Sequence, residues 1–187
     1  MEKNNVPTLE TERLILRMWS RKDAEALYNY AKNPNVGPHA GWKPHESVAE
    51  SRLVIKTLFF PNMVWAMVDK ETGSIIGSIG LDLDSIRPDV ASKELGYSLD
   101  ESYWGRGLMT EAAKRLICYA FEELKLTVLM IRTSDSNRRS QRIIEKCGFF
   151  YEGTFRRAYK TYDGGVREMR CYSMLREEYE RQLANLT

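Results

Sequence analysis

The sequence predicts one mixed α/β domain, with a central sheet flanked by helices. Two observations predict it. Segments with the period of two typical of strands alternate with segments of helical period, in the order strand, helices, three strands, helix, strand, helix, two strands. The 187 residues are 43% hydrophobic and 29% charged, as in a single globular domain. We therefore expect residues 1–187 to form one domain, with its core over about residues 9–176 and a short C-terminal helix after it.

The first predicted elements are a strand and a helix. Residues 13–19 alternate between an apolar face and a face with two arginines, which predicts a strand. Ser20 and Asp23 then resemble a capping box, and apolar residues at helical spacing predict a helix that Pro34 ends.

A long loop is expected over residues 33–44, which are rich in Asn, Gly, Pro and His. Trp42 and the nearby His39 and His45 allow a functional role for this loop, and an ordinary loop composition is the alternative. A second, weaker helix should begin near Pro44.

The middle of the chain predicts three strands. Residues 63–69 and 74–84 are rich in Val, Ile and Leu, and residues 70–73 between them are typical of a tight hairpin turn, so these two strands should be antiparallel. Residues 94–99 predict the next strand, which places Glu94 on a strand face.

The strongest helical pattern begins at Leu108 and extends to Leu124, with charged residues on the opposite face. A buried strand over residues 127–133 and a helix that Gly148 caps follow it. The last two strands are predicted over residues 149–159 and 166–175, before a short charged helix.

Composition and charge exclude several classes of protein. The net charge of +2 argues against strong binding to nucleic acid or to an anionic membrane. The longest stretch without charged side chains, residues 57–68, is shorter than the roughly 20 apolar residues of a membrane span. The N-terminus lacks the apolar segment of a signal peptide, so we expect a cytoplasmic protein.

The three cysteines are odd in number and widely spaced. Cys118, Cys147 and Cys171 form no CxxC pair and have only two histidines as imidazole partners, so neither a disulfide scaffold nor a metal site is expected. Buried small hydrophobic side chains are the interpretation that fits.

A glycine-rich turn joins the strand at residues 94–99 to the long helix. Gly105 and Gly107 allow a tight turn, and the amides that open the helix at Leu108 can hold an anion such as a pyrophosphate; an ordinary glycine turn is the alternative. No Gly-Lys-Ser/Thr follows, and Thr110 occupies the third glycine position of a dinucleotide fingerprint, so neither nucleotide motif is present.

Four stretches resemble the GNAT superfamily of acetyl-CoA-dependent N-acetyltransferases, and within it the Rim-type branch that acts on ribosomal proteins. They are residues 11–17, residues 94–97 leading into 103–107, residues 137–140 leading into 145–149, and residues 152–153. The superfamily's acetyl-CoA motif is imperfect here, because Trp104 replaces its Gln or Arg and Met109 its last small residue. A Trp-Gly-x-Gly version is common in the Rim-type branch. The resemblance implies a GNAT-like domain with a mixed, mostly antiparallel sheet.

The resemblance also implies a cofactor site. It assigns the pyrophosphate to the glycine turn, the pantetheine arm to a strand backbone, and a further contact to an amide side chain, on these residues: Tyr97, Ser98, Leu99, Trp104, Gly105, Arg106, Gly107, Leu108, Met109, Thr110 and Asn137. Asn137 is equally suited to cap a helix, and it can do both.

The reaction implied is direct attack of an amine on the thioester of acetyl-CoA. Ser140 lies where the Rim-type branch has a serine facing the leaving thiolate, and helix packing is its alternative role. Glu94 is the candidate base, directly or through water, and a solvated strand carboxylate is the alternative. Backbone amides near Ser98 can supply the oxyanion donor. Arg138, Arg139 and Arg142 can meet a CoA phosphate, an acidic partner or RNA, or form a solvated basic face.

The leading hypothesis is therefore an N-acetyltransferase whose acceptor is a protein N-terminal amine. It would use acetyl-CoA as its cosubstrate and would need no metal. One alternative is acetylation of a small molecule such as a polyamine, an amino sugar or an antibiotic. Another is a non-catalytic module that binds CoA or nucleic acid. A homodimer is compatible with the sequence, and the acceptor itself cannot be read from it.

Overall fold

A computed structural model describes residues 6–185, and its centre is one eight-stranded sheet. In chain order the strands are β1 Leu9–Glu10, β2 Leu14–Met18, β3 Met63–Asp69, β4 Ile75–Leu83, β5 Ser92–Leu99, β6 Val128–Ser134, β7 Phe150–Lys160 and β8 Val166–Leu175. Their order across the sheet is β1-β2-β3-β4-β5-β6-β8-β7. Only β5 and β6, among these neighbours, run parallel. The predicted mixed, mostly antiparallel sheet is confirmed.

Six α-helices lie within residues 6–185. They are α1 Ala24–Ala31, α2 Gly37–Ala40, α3 Val48–Val54, α4 Leu108–Glu122, α5 Arg138–Lys146 and α6 Arg176–Ala184, and α3 continues into a π-helical turn over Ile55–Phe59. In this described part of the chain, no helix is long and apolar enough to cross a membrane.

Helices cover both faces of the sheet. On one face, α4 packs its apolar stripe against Leu14, Leu16 and Trp65 of the first strands and against Ile131 of β6. On the other face, α1 and the π-helical turn pack against Ala66, the neighbour of Trp65 on β3. The side chains of adjacent strand residues thus pack into opposite layers, because successive side chains of a strand point to opposite faces of the sheet.

The structure differs from the predicted elements in the N-terminal half. The short strand β1 was not predicted, and the expected loop over residues 33–44 contains α2. The second helix begins at Val48 instead of near Pro44, because the hydroxyl of Ser47 accepts a hydrogen bond from the amide of Glu50 and caps the helix there. The strand predicted over residues 63–69 is β3 with the same bounds.

The cysteines are unpaired, and two of them are buried as predicted. Cys147 and Cys171 are buried in the protein, but Cys118 is only partly buried, which corrects the expectation for that residue. Burial raises the pKa of the Cys147 thiol to about 11, so this side chain stays protonated at neutral pH.

β5 and β6 separate after a short parallel contact. Their ladder ends where Glu94 lies opposite Met130. Beyond that point β5 stays paired with β4 as far as Leu99, and β6 stays paired with β8 as far as Ser134. A wedge therefore opens inside the sheet, and one edge of the last residues of β5 faces it.

The close approach of β4 to β5 beside this wedge gives a stability prediction. A β-carbon at Gly77 would lie 2.4 Å from the carbonyl oxygen of Ser98, which is backbone and cannot move aside freely. We expect Gly77→Ala to lower the free energy of unfolding by about 1–3 kcal/mol through overpacking.

The matched control is Gly96→Ala, also in a strand, because a β-carbon there has no heavy atom of another residue within 4 Å. Its free energy of unfolding should stay close to that of the wild type. Urea unfolding measures both variants, and equal stabilities for the two would contradict the overpacking argument.

Candidate active site

The glycine turn between β5 and α4 has the backbone conformation of an anion site. Gly105 and Gly107 have φ values of +78° and +77°, a region that costs an L-residue about 1–2 kcal/mol. Gly107 is the N-cap residue of α4, so the first amides of this 15-residue helix follow it without helical partners. The turn therefore offers N–H groups and the positive end of the helix dipole.

A pocket of about 460 Å³, named pocket A, lies against this turn. Its walls bring together ten residues predicted for the cofactor, Tyr97, Ser98, Leu99, Trp104, Gly105, Gly107, Leu108, Met109, Thr110 and Asn137. Arg106 does not line it; the guanidinium of Arg106 lies over the ring of Tyr103, 4.9 Å from its centroid. Contact of these residues with a cofactor stays a prediction.

The end of β5 that lines pocket A is fixed by side chains around it. The hydroxyl of Ser98 is buried and lies 2.9 Å from the hydroxyl of Ser78 on β4. The indole N–H of Trp104 donates to the carbonyl of Leu99 at 2.9 Å, and the guanidinium of Arg139 lies 4.2 Å from the centroid of the Trp104 ring. These contacts set the position of the strand edge at the wedge.

Ser140 lies in the first turn of α5, across the wedge from β5. Its hydroxyl is 3.0 Å from the hydroxyl of Tyr97, and the side chain of Ser140 is buried. Burial raises the pKa of Tyr97 far above its usual value, so the Tyr97 hydroxyl keeps its proton. Asn137 caps α5 by accepting a hydrogen bond from the amide of Ser140 at 3.1 Å, and it also lines pocket A.

Glu94 lies in a second pocket, named pocket B, of about 330 Å³. The guanidinium of Arg132 on β6 holds both carboxylate oxygens of Glu94, at 2.9 and 2.6 Å. This carboxylate raises the pKa of Arg132, which stays a cation. Glu94 does not line pocket A, so the two candidate catalytic residues, Glu94 and Ser140, meet only in pocket B.

Pockets A and B share part of their walls. His39, Ala40, Tyr97 and Ser140 line both of them. The place where these four residues meet, named the junction, is where a ligand of one pocket can contact a ligand of the other.

Helix α2 forms one side of the junction, and three side chains hold its backbone. The hydroxyl of Tyr159 donates to the carbonyl of Gly41, Arg167 donates to the carbonyl of Pro38 at 3.2 Å, and the Asn137 amide donates to the carbonyl of His39 at 3.4 Å. Tyr159 lies at the end of a register irregularity of β7 that begins at Phe155, and such an irregularity bends the strand locally.

Several residues of this site were not identified from the sequence. Asp82, Arg132 and Arg167 line pocket B, and each reaches it from a different strand. Helix α2 did carry a local signal, a proline in its first turn and a glycine after its end; Gly41 adopts a φ of +95°. Burial raises the pKa of Asp82, and Lys93 opposes this shift.

The family comparison covers most of the sheet. Residues 13–150 match a family described as the acetyltransferase (GNAT) domain. The chain is 29% identical over 177 residues to the uncharacterized N-acetyltransferase p20 of Bacillus licheniformis, a match over 92% of this chain and 98% of that protein.

The chain is also similar to a relative with a named activity and to a solved structure. The chain is 28% identical over 180 residues to the ribosomal protein uS5-alanine N-acetyltransferase of Escherichia coli, which covers 89% of this chain and 90% of that protein. A crystal structure of a GNAT-family acetyltransferase from Bacillus anthracis has a TM-score of 0.82 and 22% identity, and the match covers 92% of this chain and 100% of that chain. At this identity the structural likeness shows the fold alone.

Proposed function

Because the chain belongs to the GNAT family of acetyltransferases, which use acetyl-CoA, we propose that it transfers the acetyl group to the α-amine at the N-terminus of a protein. The acceptor nitrogen attacks the thioester carbonyl directly. The observation that carries this proposal is the junction, where a pocket suited to the cosubstrate meets a second pocket that can hold an amine.

Pocket A fits the chemistry of acetyl-CoA. The turn at Gly105 and Gly107 and the first amides of α4 offer donors to the pyrophosphate. The edge of β5 at the wedge offers backbone groups to the amides of the pantetheine arm, over Tyr97, Ser98 and Leu99. The thioester would then lie at the junction beside Ser140.

The charges of pocket B favour an acceptor with one ammonium group. Two carboxylates, Asp82 and Glu94, face the pocket together with two guanidinium groups, Arg132 and Arg167. A polyamine would bring several positive charges close to both arginines, and like charges at short range repel. A peptide N-terminus brings one ammonium group followed by uncharged peptide groups. The name of the Escherichia coli relative, a ribosomal protein uS5-alanine N-acetyltransferase, supports the same class.

The residues at the junction have separate roles in the proposal. Ser140 donates a hydrogen bond to the thiolate as the carbon–sulfur bond breaks, and Tyr97 holds the Ser140 hydroxyl. Backbone amides near Ser98 stabilise the oxyanion. Glu94 lies in pocket B, and it is one of the groups there that can receive the proton of the acceptor amine.

The acceptor class is tested by the release of CoA from acetyl-CoA. We expect kcat/KM for a peptide with an N-terminal alanine to exceed that for spermidine or glucosamine by at least about tenfold, or 1.4 kcal/mol. The control is the same peptide acetylated at its N-terminus and carrying an internal lysine, which should release no CoA. Faster reaction of spermidine or glucosamine would overturn the acceptor class.

Binding of acetyl-CoA to pocket A is tested by thermal unfolding. At a concentration about 100 times its dissociation constant, acetyl-CoA should add roughly 2.7 kcal/mol to the free energy of unfolding. Gly107→Val should abolish this gain, because a side chain blocks approach of a phosphate to the turn.

Gly73→Val is the control for Gly107→Val, because Gly73 also has positive φ, +68°, but lies in the β3–β4 turn outside pocket A. It should lose stability and keep the full gain from acetyl-CoA. Loss of the gain in both variants, or in neither, would contradict the assignment of the turn.

Ser140→Ala tests the role of the hydroxyl at the junction. We expect kcat to fall about 100-fold, as on removal of one donor to a developing anion, and the dissociation constant of acetyl-CoA to change less than about twofold. Tyr97→Phe should reduce kcat less, because it removes only the group that orients Ser140. Unchanged turnover in Ser140→Ala, measured with a peptide that the wild type acetylates, would exclude the proposed role.

A further inference from the structure

We propose that the imidazole of His39 removes the proton from the acceptor amine at the junction of the two pockets. This inference rests on the proposed transfer to an amine, and it assigns a role to the segment of residues 33–44 that the sequence left open.

The placement of His39 sets it apart from the other residues shared by the two pockets. Ala40 has no group that takes a proton, and the hydroxyls of Tyr97 and Ser140 are 3.0 Å apart and contact each other. His39 carries the one imidazole among the four shared residues. Its side chain is exposed to the pockets and makes no hydrogen bond to another residue of the described part of the chain.

Hydrogen bonds hold the backbone of His39 in place, although α2 is only four residues long. The three hydrogen bonds to the carbonyls of Pro38, His39 and Gly41 come from β8, the N-cap residue of α5 and β7, so α2 is fixed from three directions. Asn137, whose side-chain amide donates to the carbonyl of His39, also caps α5 by accepting a hydrogen bond from the amide of Ser140. The cap of α5 therefore sets the positions of both His39 and Ser140.

The groups around His39 keep its imidazole neutral. Partial desolvation of the ring by the pocket walls, and then the positive charges of Arg167 on β8 and Arg139 on α5, lower the pKa of His39 below its ordinary value. Glu94 and Asp82 of pocket B and the hydroxyls of Tyr97 and Tyr159 also face this region. A neutral imidazole at pH 7 has a lone pair for a proton, and the two arginines favour release of that proton to solvent afterwards.

Glu94 is less suited to the same step. Both of its oxygens accept hydrogen bonds from Arg132, so each has only one lone pair left for a substrate, and the carboxylate cannot turn without breaking these bonds. Glu94 also lines pocket B alone and is not one of the four residues of the junction, where the thioester is expected. We infer that the pair of Glu94 and Arg132 shapes the acceptor pocket and that His39 acts at the reacting nitrogen.

The acceptor arrives as an ammonium ion and gives one proton to His39, and the neutral nitrogen then forms its bond to the thioester carbon. When the carbon–sulfur bond breaks, the second proton of the nitrogen ends on the sulfur of CoA, with Ser140 donating a hydrogen bond to that sulfur. His39 returns its proton to solvent, and the products are the acetylated amine and CoA.

The first experiment compares His39→Asn and Glu94→Gln over a range of pH, using whichever of the alanine peptide, spermidine and glucosamine releases CoA fastest. In the wild type, kcat/KM should fall on the acid side only below about pH 6.5, because the pKa of His39 is lowered. In His39→Asn this fall should move to about pH 8 when the acceptor is an α-amine, because the amine then has to arrive neutral. At pH 7 the kcat/KM of His39→Asn should be about tenfold below that of the wild type, and the difference should disappear above about pH 8.

Imidazole in the buffer should restore part of the activity of His39→Ala, which a purely structural role of His39 would not produce. Glu94→Gln should keep the acid limb of the wild type. If Glu94→Gln moves the limb and His39→Asn leaves it in place, the proposal is overturned in favour of Glu94.

A second experiment needs no acceptor, and so separates this inference from the proposed function. Proton NMR of the two histidines, with the His39 signal identified by its absence in His39→Asn, gives the pKa of each imidazole with and without acetyl-CoA. We expect acetyl-CoA to shift the His39 signal and to leave the signal of His45, which is buried beside Ser51, nearly unchanged. A His39 signal that does not respond to bound acetyl-CoA would overturn the proposal, whichever acceptor the enzyme uses.

Discussion

Backbone amides and carbonyls inside a protein need hydrogen-bond partners, and the end of β5 loses its partner strand on one side after Glu94. The continued pairing of β5 with β4, and of β6 with β8, holds this opening in place from both sides. A flexible gap would close by pairing the two strands. Because the partners of each strand are fixed elsewhere, the wedge persists as a site for a ligand that carries amide groups of its own. Pocket A and the junction both follow from this separation.

The cap of α5 connects the wedge to the acceptor side. Asn137 satisfies the amide of Ser140 with its side-chain oxygen and binds the carbonyl of His39 with its side-chain nitrogen. One side chain therefore positions a helix end and a loop helix that are about 100 residues apart in the chain. The two interpretations of Asn137 from the sequence, helix cap and pocket residue, are compatible, because the cap lies at the pocket wall.

The sequence predicts those parts of the fold in which a periodic pattern is strong. The bounds of β3 and the apolar stripe of α4 follow from alternation and from helical spacing. Such a pattern tells which face of an element is buried, but it contains no information on which strands pair or where pairing stops, so the wedge could not be predicted from it. The contact of Glu94 with Arg132 spans 38 residues and joins two strands, and no local signal indicates it. The glycine turn was identifiable because its chemistry is contained in a few consecutive residues.

The two pockets differ in how tightly they are tied to the core, and this difference bears on specificity. Pocket A is bounded by β5, by the N-terminus of α4 and by the contact of Gly77 with Ser98, where even a β-carbon disturbs the sheet. Pocket B is closed by α2 and by the irregular part of β7, which single side-chain to backbone hydrogen bonds hold together. Each such bond contributes only about 1 kcal/mol net. Phe155 and Ala158 of β7 are exposed residues of pocket B and can therefore be exchanged at little cost to the fold, whereas a β-carbon at Gly37 in α2 or at Gly41 after it would lie 2.7 or 2.8 Å from another side chain. A change of acceptor is thus physically separable from the binding of acetyl-CoA, and Phe155 and Ala158, which line pocket B and not pocket A, are where such a change would act first.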